Sequence, residues 1–172
     1  MNSSCQRIHE VIHEAAAGMS PEQLQWHPAG KWSAVDILEH LSLTYSGSKI
    51  GLDRCADSGT PSARPATVKD RLGAFVVTRL GYMPAGRQAP KGTVPKGFGG
   101  SNILEHFDQQ LAAMDEAIAR CEERFGSRVK LVNHPILGPL TAVEWRKFHL
   151  VHAQHHAKQI SRIKAQLEGK PS

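Results

Sequence analysis

Hydrophobic residues recur at helical spacing in four long segments of the chain. The first segment runs from about Ser4 to Gly18 and the second begins at Ser33. The third begins at Ser101 or Asn102, and the fourth runs from Thr141 to about 167. In each segment the apolar positions fall on one face of a helix, and no stretch alternates between apolar and polar residues as a strand would. The pattern therefore predicts an all-α fold, with a four-helix bundle as its architecture.

Four helix starts have an N-cap residue followed three positions later by an amide or acidic side chain. These pairs are Ser20 with Gln23, Ser33 with Asp36, Asn102 with Glu105, and Thr141 with Glu144. In such a capping box each side chain bonds a backbone N–H that the helix itself leaves free. The pairs predict a short helical turn after Ser20 and fixed starts for the second, third and fourth long helices.

A shorter amphipathic stretch, residues 67–83, predicts an extra helix between the second and third long ones. Its apolar stripe consists of Val68, Leu72, Phe75, Val76 and Leu80. A basic Gly/Pro-rich segment follows at 83–100, which is a loop composition. We therefore expect one domain over residues 1–172, with an insert at 54–100 between two helices of the bundle.

The positive charge of the chain is concentrated in that insert. Residues 54–100 contain eight Lys or Arg and two Asp, a net charge of +6, whereas the whole chain has a net charge of +5. A nucleic-acid-binding surface would place such residues on one helix face or among aromatic side chains. Here they lie among Gly and Pro, so the pattern predicts a solvated loop, or one that meets an anionic small molecule, and no nucleic-acid partner.

The sequence also predicts a cytoplasmic chain with no membrane partner. No run of 18 apolar residues could cross a bilayer, and the N-terminal residues lack the apolar core of a signal peptide. Cys5, Cys55 and Cys121 are odd in number and form no CxxC motif, so we expect free thiols in a reducing compartment.

Ten histidines are the most unusual feature of the composition. On a helical wheel of the fourth long helix, His149, His152 and His156 lie within about 40° of Trp145, in the middle of the apolar face. A buried imidazole without partners costs on the order of 1 kcal/mol or more, and a shared cation would supply a partner. His152 and His156 are one turn apart, a spacing at which two imidazoles can bind one metal.

A third ligand must come from another part of the chain. The spacing leaves four candidates open, with His40 slightly ahead: His40, His106, His134 and His149. The pair His9 and His13 has the same spacing on the first helix, but it lies off the apolar stripe and is expected to face solvent.

Three segments resemble a known family. Trp32–Leu41 is similar to the WS…I…HL signature of the DinB/YfiT-like superfamily, and His152–Ile160 is similar to its closing HxxxH(R/A)xQ(I/L) helix. His134–Thr141 resembles the HPxFGxLT turn of one uncharacterised DinB-like subgroup, with Leu137 in place of the aromatic residue. The basic segment at 83–100 departs from the shortest members.

The resemblance implies a four-helix bundle that binds nickel or zinc through His40, His152 and His156, and a homodimer. It also implies a small-molecule substrate, since members with known activity include thiol-dependent S-transferases and a thiol-dependent maleylpyruvate isomerase. The leading hypothesis is a metal-dependent transferase that activates a low-molecular-weight thiol. The alternatives are a hydrolase that uses a metal-bound hydroxide, with Glu39 or Asp36 as base, and a non-catalytic metal- or ligand-binding bundle of the stress response. The candidate pocket residues are His149, His155, Gln159, Tyr45 and Glu39.

Overall fold

A computed structural model describes residues 1–83, 88–98, 100 and 102–169 of the chain. The regular structure of these residues is mostly helical. It consists of the helices α1 Ser3–Ala16, α2 Pro21–Gln25, α3 Ala34–Ser58, α4 Val68–Thr78, α5 Ile103–Phe125 and α6 Ala142–Leu167, and of the strands β1 Val132–His134 and β2 Gly138–Leu140. One 3-10 turn lies at Lys91–Thr93. Ser101, one of the two starts expected for the third long helix, lies outside the described residues.

The helix starts confirm three of the four capping boxes expected from the sequence. The box of Asn102 with Glu105 is wrong: within the described part of the chain Asn102 makes no side-chain capping bond, and its backbone, with φ −106° and ψ 25°, departs from the extended conformation of an N-cap residue. The side chains of Ser20, Ser33 and Thr141 each accept a hydrogen bond from the backbone three residues later, and the reciprocal bond is present in each case. A fourth capping box, between Thr67 and Asp70, opens α4. The capping box of Thr141 and Glu144 fixes the residue at which α6, the helix with most of the candidate histidines, begins.

The four long helices pack in two main pairs. α3 packs along α5 and α1 packs along α6, and smaller contacts join α5 with α6, α1 with α5 and α3 with α6. Their apolar faces form one core, in which the largest fully buried side chains include Tyr45, Phe107, Leu111, Met114 and Ile118. Because His40 lies on α3 and His152 on α6, the candidate ligands come from different pairs.

Ion pairs join α5 to α6. The Arg146 side chain of α6 is buried and pairs with Asp115, at 3.2 Å, and with Glu122 of α5. The backbone N–H of Asn2 donates a hydrogen bond of 2.7 Å to the other oxygen of Asp115. A buried guanidinium needs such partners, so Arg146 has a structural role.

A two-stranded antiparallel hairpin precedes α6, where the sequence pattern predicted no strand. Val132 pairs with Leu140 and His134 with Gly138. Each strand has three residues, too few for alternation to be visible in the sequence. Gly138 has φ of +69°, and a Cβ there would lie 2.4 Å from Cγ of Asp70, so this position requires glycine.

The extra helix expected within residues 67–83 is confirmed as α4, but its apolar stripe faces outwards. Val68, Leu72 and Phe75 are exposed, whereas Ala74 and the Asp70 side chain are buried. The Asp70 carboxylate accepts hydrogen bonds from Arg64 and Thr67, and these bonds hold the pKa of that carboxyl below its usual range. An amphipathic helix normally buries its apolar stripe, whereas α4 buries the Asp70 carboxylate, which pairs with the exposed Arg64.

The three cysteines are free, as the sequence predicted, and all three are buried. Cys121 is fully buried in the core, where burial raises the pKa of its thiol to about 12. Within the described ranges, none of the helices has an apolar stretch long enough to span a bilayer.

Candidate metal centre

The structure brings three predicted ligands together: His40 of α3 with His152 and His156 of α6. Nε2 of His152 lies 3.2 Å from Nε2 of His40 and 3.0 Å from Nε2 of His156. One nitrogen from each ring lies within 4.8 Å of the other two, and all three side chains are buried. These residues can therefore hold a metal ion.

The separations of the nitrogens match those around a metal. Imidazole nitrogens bind zinc at about 2.0–2.1 Å, so two nitrogens of a tetrahedral site are about 3.3–3.4 Å apart. The observed 3.2 and 3.0 Å are close to this value.

Hydrogen bonds on the far side of two rings fix which nitrogen bears the proton. Nδ1 of His40 lies 2.7 Å from the carbonyl oxygen of Thr93, and Nδ1 of His156 lies 2.8 Å from Oε1 of Gln159. Since both partners are acceptors, each Nδ1 donates and each neutral ring turns the lone pair of Nε2 to the centre. Metal-binding histidines are commonly oriented in this way.

Burial keeps the three imidazoles uncharged. Desolvation lowers the pKa of His40 and, with the neighbouring histidines, lowers that of His152 far below its usual value. The pKa of His156 is lowered to about 3, first by burial and then by His40. A single proton on Nε2 of His152 can be donated fully to only one of the two Nε2 lone pairs that face it, those of His40 and His156. A cation at the centre would instead bind the lone pairs of all three nitrogens.

A family comparison adds to this geometry. The model of the family described as protein of unknown function (DUF1569) matches residues 4–162. The chain belongs to this family. All three histidines lie in the matched range. No curated protein and no solved structure matches the chain.

Aromatic rings pack against two of the three histidines. The Phe148 ring stacks on His152 with 5.5 Å between centroids and an interplanar angle of 17°. The Trp32 ring lies 5.1 Å from that of His40. These contacts restrict the rotation of both imidazoles and shield the centre from water.

Glu39 anchors the segment of residues 93–98 to α3 beside the centre. Its carboxylate is buried and accepts hydrogen bonds of 2.7–3.1 Å from the backbone N–H groups of Lys96, Gly97 and Phe98. Together with the bond from His40 to Thr93, these contacts place the end of the basic loop against the ligands. The candidate base Glu39 is thus engaged in holding the loop, and Asp36 caps α3.

Sequence reasoning missed Thr93 and the residues of 96–98 as neighbours of the centre. They are separated from His40 and Glu39 by 53 to 59 positions along the chain. Their contribution comes from backbone groups, which any residue supplies, so no side-chain pattern could have indicated them.

The candidates Gln159 and His155 lie next to the centre. The Gln159 side chain accepts from His156 through Oε1, and its Nε2 lies 3.2 Å from Nε2 of His155. Gln159 therefore connects a half-buried histidine to a ligand. Burial, with Arg162 and Lys158, lowers the pKa of His155.

His149 and Tyr45 lie deeper in the core, below the ligands. Both are fully buried, with their rings 5.2 Å apart and edge-on. In the part of the chain that the structure describes, neither nitrogen of His149 and not the Tyr45 hydroxyl has a hydrogen-bond partner. Burial and His134 lower the pKa of His149 to about 3.

The other candidate ligands lie elsewhere. His106 is exposed on α5. His134 ends β1, and its Nδ1 accepts hydrogen bonds from the N–H groups of Ile136 and Leu137 in the hairpin turn. Burial lowers its pKa to about 4. Of the four candidates left open by spacing, only His40 lies in the cluster.

Proposed function

We propose that this protein binds a divalent metal, nickel or zinc, through His40, His152 and His156. The observation that supports the proposal is the convergence of three uncharged imidazoles at separations of 3.0 and 3.2 Å. Two of them have their lone pairs directed inwards by Thr93 and Gln159. An all-imidazole set suits zinc or nickel and is unsuited to magnesium or calcium, which prefer oxygen ligands.

We further propose that the protein is a DinB/YfiT-like four-helix bundle and a homodimer. The packing of α3 on α5 and of α1 on α6, with the cross-contacts between the pairs, supports a bundle of these four helices. The histidines of the motif-like segments fall on α3 and α6, as the resemblance implies. The exposed apolar stripe of α4 is consistent with association of two chains.

For the reaction we propose that the sulfur of a low-molecular-weight thiol forms a bond to an electrophilic carbon of a small substrate. The bond from that carbon to its leaving group breaks, and the thiol proton passes to water. A divalent cation held by His40, His152 and His156 would leave a position for a small molecule and would lower the pKa of a thiol bound there. The protein's own residues orient the ligands through Gln159 and Thr93 and limit water through Phe148 and Trp32. The basic segment held by Glu39 lies where it can attract an anionic thiol or substrate.

Hydrolysis receives less support. It requires a base for water, and the residue expected for that role, Glu39, accepts three backbone hydrogen bonds. Both of its carboxylate oxygens are thus already occupied by backbone donors. Binding without catalysis is the outcome that the experiment below distinguishes.

The proposal is tested by metal content and by thiol consumption. Protein purified without chelator and passed through metal-free buffer is measured by plasma mass spectrometry and X-ray absorption, and is then assayed with several thiols and electrophiles. We expect nickel or zinc with imidazole ligands, and conjugation that requires both metal and thiol. His156→Ala loses this ion and the activity, whereas His106→Ala, an exposed histidine, keeps both.

Two results would contradict parts of the proposal. If His156→Ala retains the same ion with the same imidazole ligands, the three histidines are not the metal site. If the loaded protein binds metal but accelerates no conjugation in the panel, it is a binding protein. Turnover of esters or amides that needs the metal but no thiol would make it a hydrolase.

A further inference from the structure

A second cluster of potential ligands lies between α1 and α5. It consists of His9 and His13 of α1 and Asp108 of α5. The two histidines lie at the surface, as their positions off the apolar stripe predicted, with 43% and 35% of their side chains exposed. Both nevertheless turn their Nε2 atoms to one carboxylate instead of extending into solvent.

The two histidines lie at different distances from the Asp108 carboxylate. Nε2 of His13 lies 3.1 and 3.0 Å from the two oxygens of Asp108, which a single hydrogen-bonded pair explains. Nε2 of His9 lies 3.6 Å from Oδ1, too far for a good hydrogen bond. The two imidazoles stack, with centroids 4.1 Å apart and an interplanar angle of 25°. His9 is thus aligned on the carboxylate without bonding it.

A cation between the three groups accounts for this alignment. Ligands at about 2.0–2.1 Å from a tetrahedral metal are about 3.3–3.4 Å from one another. The separations of 3.0–3.6 Å in the cluster lie on either side of this value. A metal would turn both lone pairs and the carboxylate charge to one point, and the spacing of four residues on α1 allows it.

We infer that His9, His13 and Asp108 form a second divalent-metal site, which takes a first-row cation such as Zn²⁺ and links α1 to α5. Two imidazoles and one carboxylate suit zinc, nickel or cobalt and not calcium or magnesium. The side chains of the three ligands are 32–43% exposed, so water could complete the coordination. The site shares no residue with the buried histidines and stands independently of the proposed function.

Calorimetric titration of the metal-depleted full-length protein with Zn²⁺ tests the inference. The wild type is expected to bind at two sites. His9→Gln and Asp108→Asn weaken one of them at least about 10-fold, since each removes one of three ligands. His106→Gln is the matched control, an exposed histidine on α5 close to Asp108, and leaves both sites unchanged.

The His156→Ala background separates the two sites. There we expect a single Zn²⁺ site, and adding His9→Gln removes it. The inference is overturned if His9→Gln and Asp108→Asn titrate like the wild type. These surface variants leave the core intact, so that result stands even if His156→Ala fails to fold. A wild type with one Zn²⁺ site, which His9→Gln removes and His156→Ala leaves unchanged, would contradict the proposed function and leave this inference intact.

Discussion

The side chains of His152 and His156 lie one turn apart on α6, as those of His9 and His13 do on α1. Burial gives the two pairs different properties. On α6 desolvation suppresses protonation, and Gln159 fixes the tautomer of His156. On α1 the rings are partly in water, and both face the Asp108 carboxylate. The same spacing therefore produces a neutral three-nitrogen cluster in the core and a carboxylate-containing cluster at the surface.

Buried neutral histidines should make the metal-free protein sensitive to acid. The folded pKa of His149 is lowered to about 3 from 6.5, so below pH 6.5 the unfolded chain binds a proton that the folded chain does not. Stability is full above pH 6.5 and falls as the pH drops from 6.5 towards 3. When the pH falls from 7.5 to 5.5, the titration of this one residue lowers the free energy of unfolding by about 1.4 kcal/mol.

His149→Phe, in which an aromatic ring replaces the imidazole, is expected to reduce this loss by about 1.4 kcal/mol. Urea unfolding at both pH values, with a chelator present, measures the difference. His27→Phe, a change at an exposed histidine, should leave the pH dependence as it is in the wild type. An equal loss of stability in His149→Phe and the wild type would show that His149 is not neutral in the fold.

At the scale of elements, Glu39 attaches the segment 96–98 to α3. Hydrogen bonds to a charged acceptor contribute about 1.5–3 kcal/mol each, and Glu39→Gln removes the charge and one acceptor oxygen. We therefore expect amide hydrogen exchange at Lys96, Gly97 and Phe98 to become at least about 10-fold faster. Exchange measured by mass spectrometry, with the exposed Glu116→Gln as control, checks this. Unchanged rates at these amides would contradict the anchoring role.

The helices were predictable where their determinants are local. The capping boxes at Ser20, Ser33 and Thr141 involve side chains three residues from their partners, so the sequence was sufficient. The hairpin at 132–140 was missed because its strands are too short to show a period. The outward stripe of α4 could not be foreseen, since its orientation depends on Asp70, which is buried against Gly138 of a distant segment.

At the scale of the whole molecule, the candidate site combines predictable and unpredictable parts. The helical wheel placed His152 and His156 on the core face of α6. The choice of His40 over His106 and His134 depended on how α3 packs across α6, and spacing gave it only a slight lead. The contacts from 93–98 depend on the path of the loop. Local periodicity determines which face a residue occupies, whereas the partner across the core depends on packing.

A metal at His40, His152 and His156 would connect α3 to α6, and thus the two main helix pairs. A ligand that binds only the folded state at 100 times its Kd stabilises it by about 2.7 kcal/mol, or roughly 5–10 °C in Tm for a domain of this size. Asp108→Asn serves as background, so that the surface cluster does not contribute. Calorimetric scans with and without Zn²⁺ should show this shift, and adding His40→Ala should abolish it. If Zn²⁺ raises the Tm of the His40→Ala variant by the same amount, the stabilising metal binds at another site and does not connect the two helix pairs.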